Sequence, residues 1–333
     1  MQTFNDITRR GFLLAAGASP LLRGQTVLQG QTLPRGQSLL RDTWSAKWIA
    51  VPKAPATEYG VYHFRKSFAL AARPERFVVH ASGDNRYQLF VNGQRVAWGP
   101  ARGDLYHWRY ETVDITGFLR AGNNVLAAVV WNFGEYTPEA QITLQTGFLL
   151  QGDTAAERVV DSGTGWKCAR DESYGPAVTT SGDVRGYYVV GPGDRIRAEL
   201  HPWGWAGTEF DDSQWAAAAV IGPAAGREAR DVHTRWMLVP RTIPMMEEKA
   251  EKPLVARRAQ GIVWNGTGTA PAHAKATLLL DQTYLTTAYP ELTVSGGKGA
   301  AIRMRYAEAL FTKSREKGNR NEIEGKEFIG NYD

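Results

Sequence analysis

A single cysteine, Cys168, is present among 333 residues, so no intrachain disulfide can form and no cysteine-based metal site can be assembled. Stability must come from packing. Long apolar runs are also missing: the stretch Gly11-Phe12-Leu13-Leu14-Ala15-Ala16-Gly17-Ala18 falls far short of the roughly 20 apolar residues a membrane span needs. The net charge of +5 is spread along the chain, with no dense Lys/Arg run interleaved with aromatics. That excludes the phosphate track a nucleic-acid binder requires. The nearest approach to a basic cluster, Lys249 to Arg258, is broken by Glu251 and Pro253 and reads as a solvated linker. No strained Gly-x-Ser-x-Gly elbow occurs, and the histidines lack paired metal-ligand spacing.

What is there is a chain of ordinary globular composition, 43% apolar and 22% charged, long enough for two folded units plus tails. Tryptophan is abundant, at 11 residues. Its flat apolar face and lone N–H suit sandwich cores first and sugar stacking second.

Arg9-Arg10, followed at once by a short weakly apolar stretch, matches a twin-arginine export signal over 1–24, with Ala16-Gly17-Ala18 offering small residues for cleavage. The expected location is periplasmic or extracellular, without a transmembrane anchor. A six-residue repeat follows: Gly24-Gln25-Thr26, Gly30-Gln31-Thr32 and Gly36-Gln37-Ser38. Short polar copies with glycine in each predict a flexible tether over 25–43.

From Tyr62 the apolar period is two. Tyr62, Phe64, Phe68 and Leu70 share a face, then Phe77, Val79 and Ala81, then Tyr87, Leu89 and Val91. Such alternation between Gly, Pro and Asn marks half-buried antiparallel strands. Asn92-Gly93 predicts a tight hairpin, because both residues tolerate positive φ. Further strands are expected at Arg109 to Ile115, Asn124 to Asn132 and Gly147 to Gln151. The second of these is nearly all apolar, as for a central strand covered on both faces. The fold class is all-β, a sandwich or jelly roll over 44–240.

Several segments carry a resemblance. Lys47-Trp48-Ile49-Ala50, Phe64-Arg65-Lys66-Ser67-Phe68, Tyr87 to Gly93, Asp114-Ile115-Thr116 with Leu119 and Gly122 to Leu126, Trp166-Lys167, and Phe210-Asp211-Asp212-Ser213-Gln214-Trp215 follow in order. Together they resemble the N-terminal galactose-binding-like module of bacterial α-L-rhamnosidases, glycoside hydrolase family 78. The hairpin and the Asp-Asp-Ser-x-Trp piece are also similar to sugar-recognising modules before β-galactosidases and β-glucuronidases. The resemblance implies a jelly-roll β-sandwich, in agreement with the periodicity.

Residues 241–258 carry prolines and charges without periodicity and read as a linker. Over 259–333, Leu278 to Asp281, Ala288 to Val294 and Ala301 to Leu310 read as strands, the last containing Tyr306-Ala307-Glu308. They resemble the β-sandwich that precedes the family's catalytic domain, here a partial one. The family's (α/α)6 barrel with its acidic pair is not recognisable in this sequence. No catalytic residue is assigned, and the barrel of a longer parent protein is the implied partner. Glu135, Asp211, Asp212, Asp281 and Glu308 are the carboxylates one would weigh for glycoside hydrolysis, which needs two facing each other across a sugar. Asp211 and Asp212, as sequence neighbours, would diverge and cap a turn.

Sugar sites on sandwiches use loop aromatics for the ring face and polar groups for hydroxyls. The loops offer Asp84, Asn85, Arg102, Asp104, Trp108, Trp131, Asn132 and Glu135. The resemblance further implies calcium, through oxygen ligands such as Asp84 and Asn85. The competing expectation is that Trp108 and Trp131 pack loops and the module only braces a barrel. Three functions stay open at this point: an accessory carbohydrate-binding portion of a rhamnosidase-like enzyme for rhamnose-containing glycosides, a free-standing lectin-like protein, and a purely structural module.

Overall fold

The computed structural model describes residues 12–15, 36–184, 188–251, 254–328 and 331–332. The chain divides into two compact units, one over 27–245 and the other combining 1–26 with 246–333.

In the first unit a short helix, α1 (Gly36–Arg41), leads into β2 (Thr43–Ala50), counting Phe12–Ala15 of the other unit as β1. Then come β3 (Gly60–Leu70), β4 (Val78–Asp84), β5 (Arg86–Val91), β6 (Gln94–Gly99), β7 (Trp108–Asp114), β8 (Gly122–Asn132) and β9 (Gly147–Gly152). The later strands are shorter: β10 (Lys167–Arg170), β11 (Tyr174–Ala177), β12 (Gly193–Ile196), β13 (Ala216–Ala217), β14 (Ala219–Gly226) and β15 (Met237–Pro240).

Six strands form one sheet in the order β13-β10-β3-β8-β5-β6, and six close into a barrel ordered β14-β15-β7-β4-β9-β2. The period-two faces explain how they pack. Tyr62, Phe64, Leu89, Leu126 and Val130 of the sheet meet Ile49, Val79, Ala81, Phe148 and Leu150 of the barrel wall in one buried core. The other face of that wall, with Trp44, Trp48, Trp108, Tyr110 and Leu149, turns inward around Trp236 and Leu238 as a second core. Alternate residues of β8, Val125, Ala127 and Val129, point the opposite way and lie beneath Trp205. That central strand is thus covered on both faces, as its apolar run predicted. The Asn92-Gly93 hairpin forms with φ of 51° and 84°, and Val91 pairs with Gln94 across it.

Arg65, on β3, is buried and holds the segment that covers the sheet. It donates to Asp212 Oδ2 at 2.8 Å and to the carbonyls of Trp205, Gly207 and Phe210. Asp211 accepts instead from its own Ser213 N–H at 2.9 Å, so the neighbouring carboxylates do diverge. Cys168 is buried on β10, and burial pushes its thiol up to about 12.

Of the tether expected over 25–43, only residues 36–43 are described. Residues 16–35, which include two copies of the repeat, lie outside the described residues, as do Arg9 and Arg10. The third copy runs into α1, where Leu39 is buried in the second core and its carbonyl accepts the Trp44 indole N–H at 3.1 Å. The described end of this stretch is thus held by an apolar residue with a place in a core.

In the other unit, β1 lies between β17 (Thr267–Ala270) and β19 (Thr293–Ser295), while β16 (Val255–Gln260) pairs with β18 (Thr277–Asp281). Of the linker expected over 241–258, residues 255–258 lie in β16. Two longer strands expected here shrink: Ala288 to Val294 keeps only its end, and of Ala301 to Leu310 only Arg305 and Tyr306 are paired. Tyr289 and Ile302 stay exposed.

Candidate functional site

At one end of the first unit the chain enters β3 and β5 and leaves β8 and β10, because Gly60 pairs with Asn132, Arg86 with Trp131, and Arg170 with Tyr62. The connecting loops gather there. Their inner layer is a polar hub. The Asp84 carboxylate accepts five hydrogen bonds, from Thr143 Oγ1 (2.7 Å) and Asn85 Nδ2 (3.0 Å) on one oxygen, and from Leu144 N (2.8 Å), Gln145 N (3.2 Å) and Trp236 Nε1 (3.0 Å) on the other. Burial raises this carboxyl above its ordinary range, and the bonds from Leu144, Thr143, Trp236 and Gln145 oppose that. Asn85 accepts from Phe133 N (2.9 Å), and Asn132 accepts from Gly134 N (2.9 Å) while donating to Thr146 Oγ1 (2.9 Å).

These three residues were expected on the surface as sugar ligands, with Asp84 and Asn85 also expected to ligate calcium. All three are buried, and every lone pair of Asp84 is already taken by a protein donor. They fix the 133–146 loop and are not available to a ligand. Trp108 is corrected likewise: it is 3% exposed and belongs to the core inside the barrel. Trp131 is half-buried and packs against the cluster under Trp205.

Arg102, Asp104 and Glu135 do reach the surface. Arg102 donates to the Glu139 carbonyl at 3.1 Å. Asp104 closes its own turn, accepting from Tyr106 N (2.8 Å) and the His107 ring (3.1 Å). Desolvation, the largest single influence, raises the Asp104 carboxyl, but the bonds from His107 and Tyr106 together hold it below the usual value. Glu135 stands beside Tyr136, and its hydrogen bond and charge raise that phenol.

Tyr136 begins an outer row that sequence reasoning missed. Its ring lies 6.3 Å from that of Tyr59 at 72°, and the Tyr59 hydroxyl donates to Asp194 Oδ1 at 3.3 Å. Asp194 also influences Tyr174, whose hydroxyl burial pushes up to about 12 with help from Asp194 and Asp171. The Tyr174 ring is 6.0 Å from His201, and His201 is 4.8 Å from Trp203, an indole left 70% exposed.

Beneath His201 lies a buried ionic cluster. Asp171 Oδ2 meets His201 Nδ1 at 2.9 Å and His63 Nε2 at 3.2 Å. Burial alone would raise the Asp171 carboxyl, but the bonds from His63 and Ser173 hold it well below the carboxylate range. Burial lowers the pKa of His63, whose Nδ1 has no partner, so this ring is neutral and donates through Nε2. Ser173 Oγ lies 3.4 Å from His201, but at the same Nδ1 that Asp171 occupies. A nucleophilic triad needs serine and carboxylate on opposite ring nitrogens, so this trio positions and does not activate.

Half-buried rings ending in the exposed Trp203 indole, beside the exposed carboxylates of Glu135 and Asp194, suit a neutral polyhydroxylated ligand: C–H faces lie on rings and hydroxyls donate to the carboxylates. The one signal in the sequence was Trp203 between Pro202 and Gly204, an aromatic in an aperiodic segment. The pairing of Tyr59 with Asp194, 135 positions apart, has no local signature.

No protein-family model matches the chain. An α-L-rhamnosidase of Streptomyces avermitilis is 27% identical over 274 residues, which is 78% of this chain and 23% of that protein. The crystal structure of the glycoside hydrolase family 78 rhamnosidase of Bacillus sp. GL1 superposes with a TM-score of 0.54 at 27% identity, covering 66% of this chain and 22% of the other. The α-L-rhamnosidase structure from Dictyoglumus thermophilum gives a TM-score of 0.44 at 19% identity over 66% of this chain and 24% of that one. The chain spans about a quarter of the length of the relatives it matches. Its homologues are α-L-rhamnosidases of glycoside hydrolase family 78, and it corresponds to a β-sandwich part of them.

Proposed function

We propose that this chain is the accessory carbohydrate-binding and structural portion of an exported α-L-rhamnosidase-like glycoside hydrolase acting on rhamnose-containing glycosides. The row from Tyr136 through Tyr59, Asp194 and Tyr174 to Trp203 carries this reading, on a sandwich whose homologues are rhamnosidases. Rings cover the apolar edge of a deoxy sugar, and Glu135 and Asp194 accept from its hydroxyls. No hydrolytic step is assigned to these residues. A catalytic barrel in the same parent protein is the proposed partner. Export rests on Arg9 and Arg10, and a reporter fused to 1–24 should lose translocation when both are changed to lysine.

Calorimetry with L-rhamnose tests the binding. Saturable heat that disappears in Tyr136→Ala and weakens in Asp194→Asn supports the proposal. Unchanged heats in both variants, or none with the original chain, remove it and leave bracing as the role.

A further inference from the structure

The chain holds two Asn-Gly pairs, Asn92-Gly93 and Asn265-Gly266. Both glycines take positive φ, at 84° and 96°. Such a pair carries a chemistry of its own, because glycine has no Cβ to keep its amide nitrogen away from the side-chain carbonyl that precedes it. How firmly each asparagine is held decides which pair can react.

Asn92 is locked at both ends of its side-chain amide. Nδ2 donates to the Phe118 carbonyl at 3.0 Å and to Asn124 Oδ1 at 2.9 Å, while Oδ1 accepts from Val125 N at 2.9 Å. The Asn92 N–H closes the arrangement by donating to the Val125 carbonyl at 2.9 Å. Turning Cγ toward Gly93 would break the side-chain bonds and strand their partners, two of which belong to the buried residues Asn124 and Val125.

Asn265 is exposed. Among the described residues its side-chain amide meets only its own neighbour Thr267, whose Oγ1 lies 3.1 Å and whose N lies 3.4 Å from Oδ1. The second distance is beyond the usual range for N–H···O, and neither contact engages Nδ2. The nitrogen that would have to leave is therefore not held.

We propose that Asn265 is a site of spontaneous deamidation, and that folding spares Asn92. Gly266 N bonds to Asn265 Cγ, the Cγ–Nδ2 bond breaks, and the amide proton departs with Nδ2 as ammonia, leaving a cyclic imide. Water, the sole co-reactant, then adds to either imide carbonyl and opens the ring. One opening gives aspartate in the ordinary linkage, and the other gives isoaspartate, with the main chain routed through Cγ. Neither step oxidises or reduces anything. Both products place a new negative charge directly before β17. Isoaspartate also lengthens the main chain just ahead of Gly268, where a Cβ would already come within 2.7 Å of the Val263 carbonyl oxygen. A turn that tight has no slack for an added backbone carbon.

The test incubates the full chain in mildly alkaline buffer made with heavy-oxygen water, followed by digestion and peptide mass spectrometry at intervals. The peptide bearing Asn265 should take up one heavy oxygen and resolve into aspartyl and isoaspartyl forms, while the peptide bearing Asn92 stays unlabelled. A sample held in guanidinium chloride supplies the internal comparison, since unfolding should bring Asn92 up to the rate of Asn265. Asn265→Gln, a change on an exposed side chain, should lose the label from that peptide. The proposal is overturned if Asn265 stays intact in the folded chain after both sites have converted in guanidinium, if Asn92 converts as fast as Asn265 without denaturant, or if the Asn265→Gln peptide still takes up label at the original rate.

Discussion

Arg65 Nε donates to Asp212 Oδ2 at 2.8 Å, joining the middle of the six-stranded sheet to a loop 147 positions further along the chain. The guanidinium is 1% exposed, and its remaining N–H groups are spent on three carbonyls of the same loop. The Arg65 side chain also lies 5.2 Å over the Phe210 ring, so packing and charge reinforce one another.

Removing that side chain should therefore open the loop that roofs Val61, Val125 and Val129. Arg65→Met is expected to cost about 3–5 kcal/mol, since it leaves three buried carbonyls and one carboxylate without a partner. The urea midpoint should fall while the denaturant slope stays constant. A midpoint within error of the original would show that the loop is held by its tryptophans alone.

Trp108 and Trp131 separate core from rim. Trp108→Ala should destabilise by about 3–5 kcal/mol, because it empties a site inside the barrel. Trp131→Ala, on a half-buried ring, should cost less. L-rhamnose affinity, measured on the folded fraction, should be unaffected by the first.

Acid stability has two opposed parts. Asp153, hydrogen-bonded by His80 and Arg76, is lowered to about 2 from 3.8. Its depressed pKa contributes stability above pH 3.8, about 2 kcal/mol, that is lost as the pH falls toward 2. Asp84 and Glu111 are raised by burial, so their protonation on the way down partly offsets the loss. Asp153→Asn should flatten the acid limb of a stability–pH curve between pH 4 and 2. An unchanged limb would mean that the carboxylate is no better held in the folded chain than in the unfolded one.

Glycine at 99 is required by a neighbour. A Cβ there would lie 2.1 Å from Glu111 Oε2, a buried atom that accepts the Tyr87 hydroxyl at 2.7 Å. Gly99→Ala should displace Glu111 from Tyr87 and lower the melting temperature by several degrees, the shift roughly 1–2 kcal/mol produces in a domain of this size.

The strands of the first unit were legible because their side chains alternate against two real layers. Tyr62, Phe64, Val79, Ala81, Leu89 and Val91 all point into the core that their period predicted. In the second unit Tyr289 and Ile302 belong to runs read as strands, yet both stay exposed. Among candidate ligands, Asp84, Asn85 and Asn132 look identical in sequence whether they face solvent or fasten a loop. Only the positions of Thr143, Leu144 and Trp236 decide between the two. The outer row escaped notice because its members are scattered over the chain: Tyr59 and Tyr136 in two loops, Tyr174 and Asp194 on β11 and β12, and His201 and Trp203 in the segment after them.

Cys168 sits on a short strand hydrogen-bonded to β3 and β13, with a thiol too buried and too weakly acidic to react. Being the sole sulfhydryl, it is a natural clock for the sheet edge: alkylation at neutral pH can proceed only as fast as that edge peels away. With reagent concentrated enough for alkylation to outpace reclosing, a mass shift measured over time reads the opening rate with no engineered label.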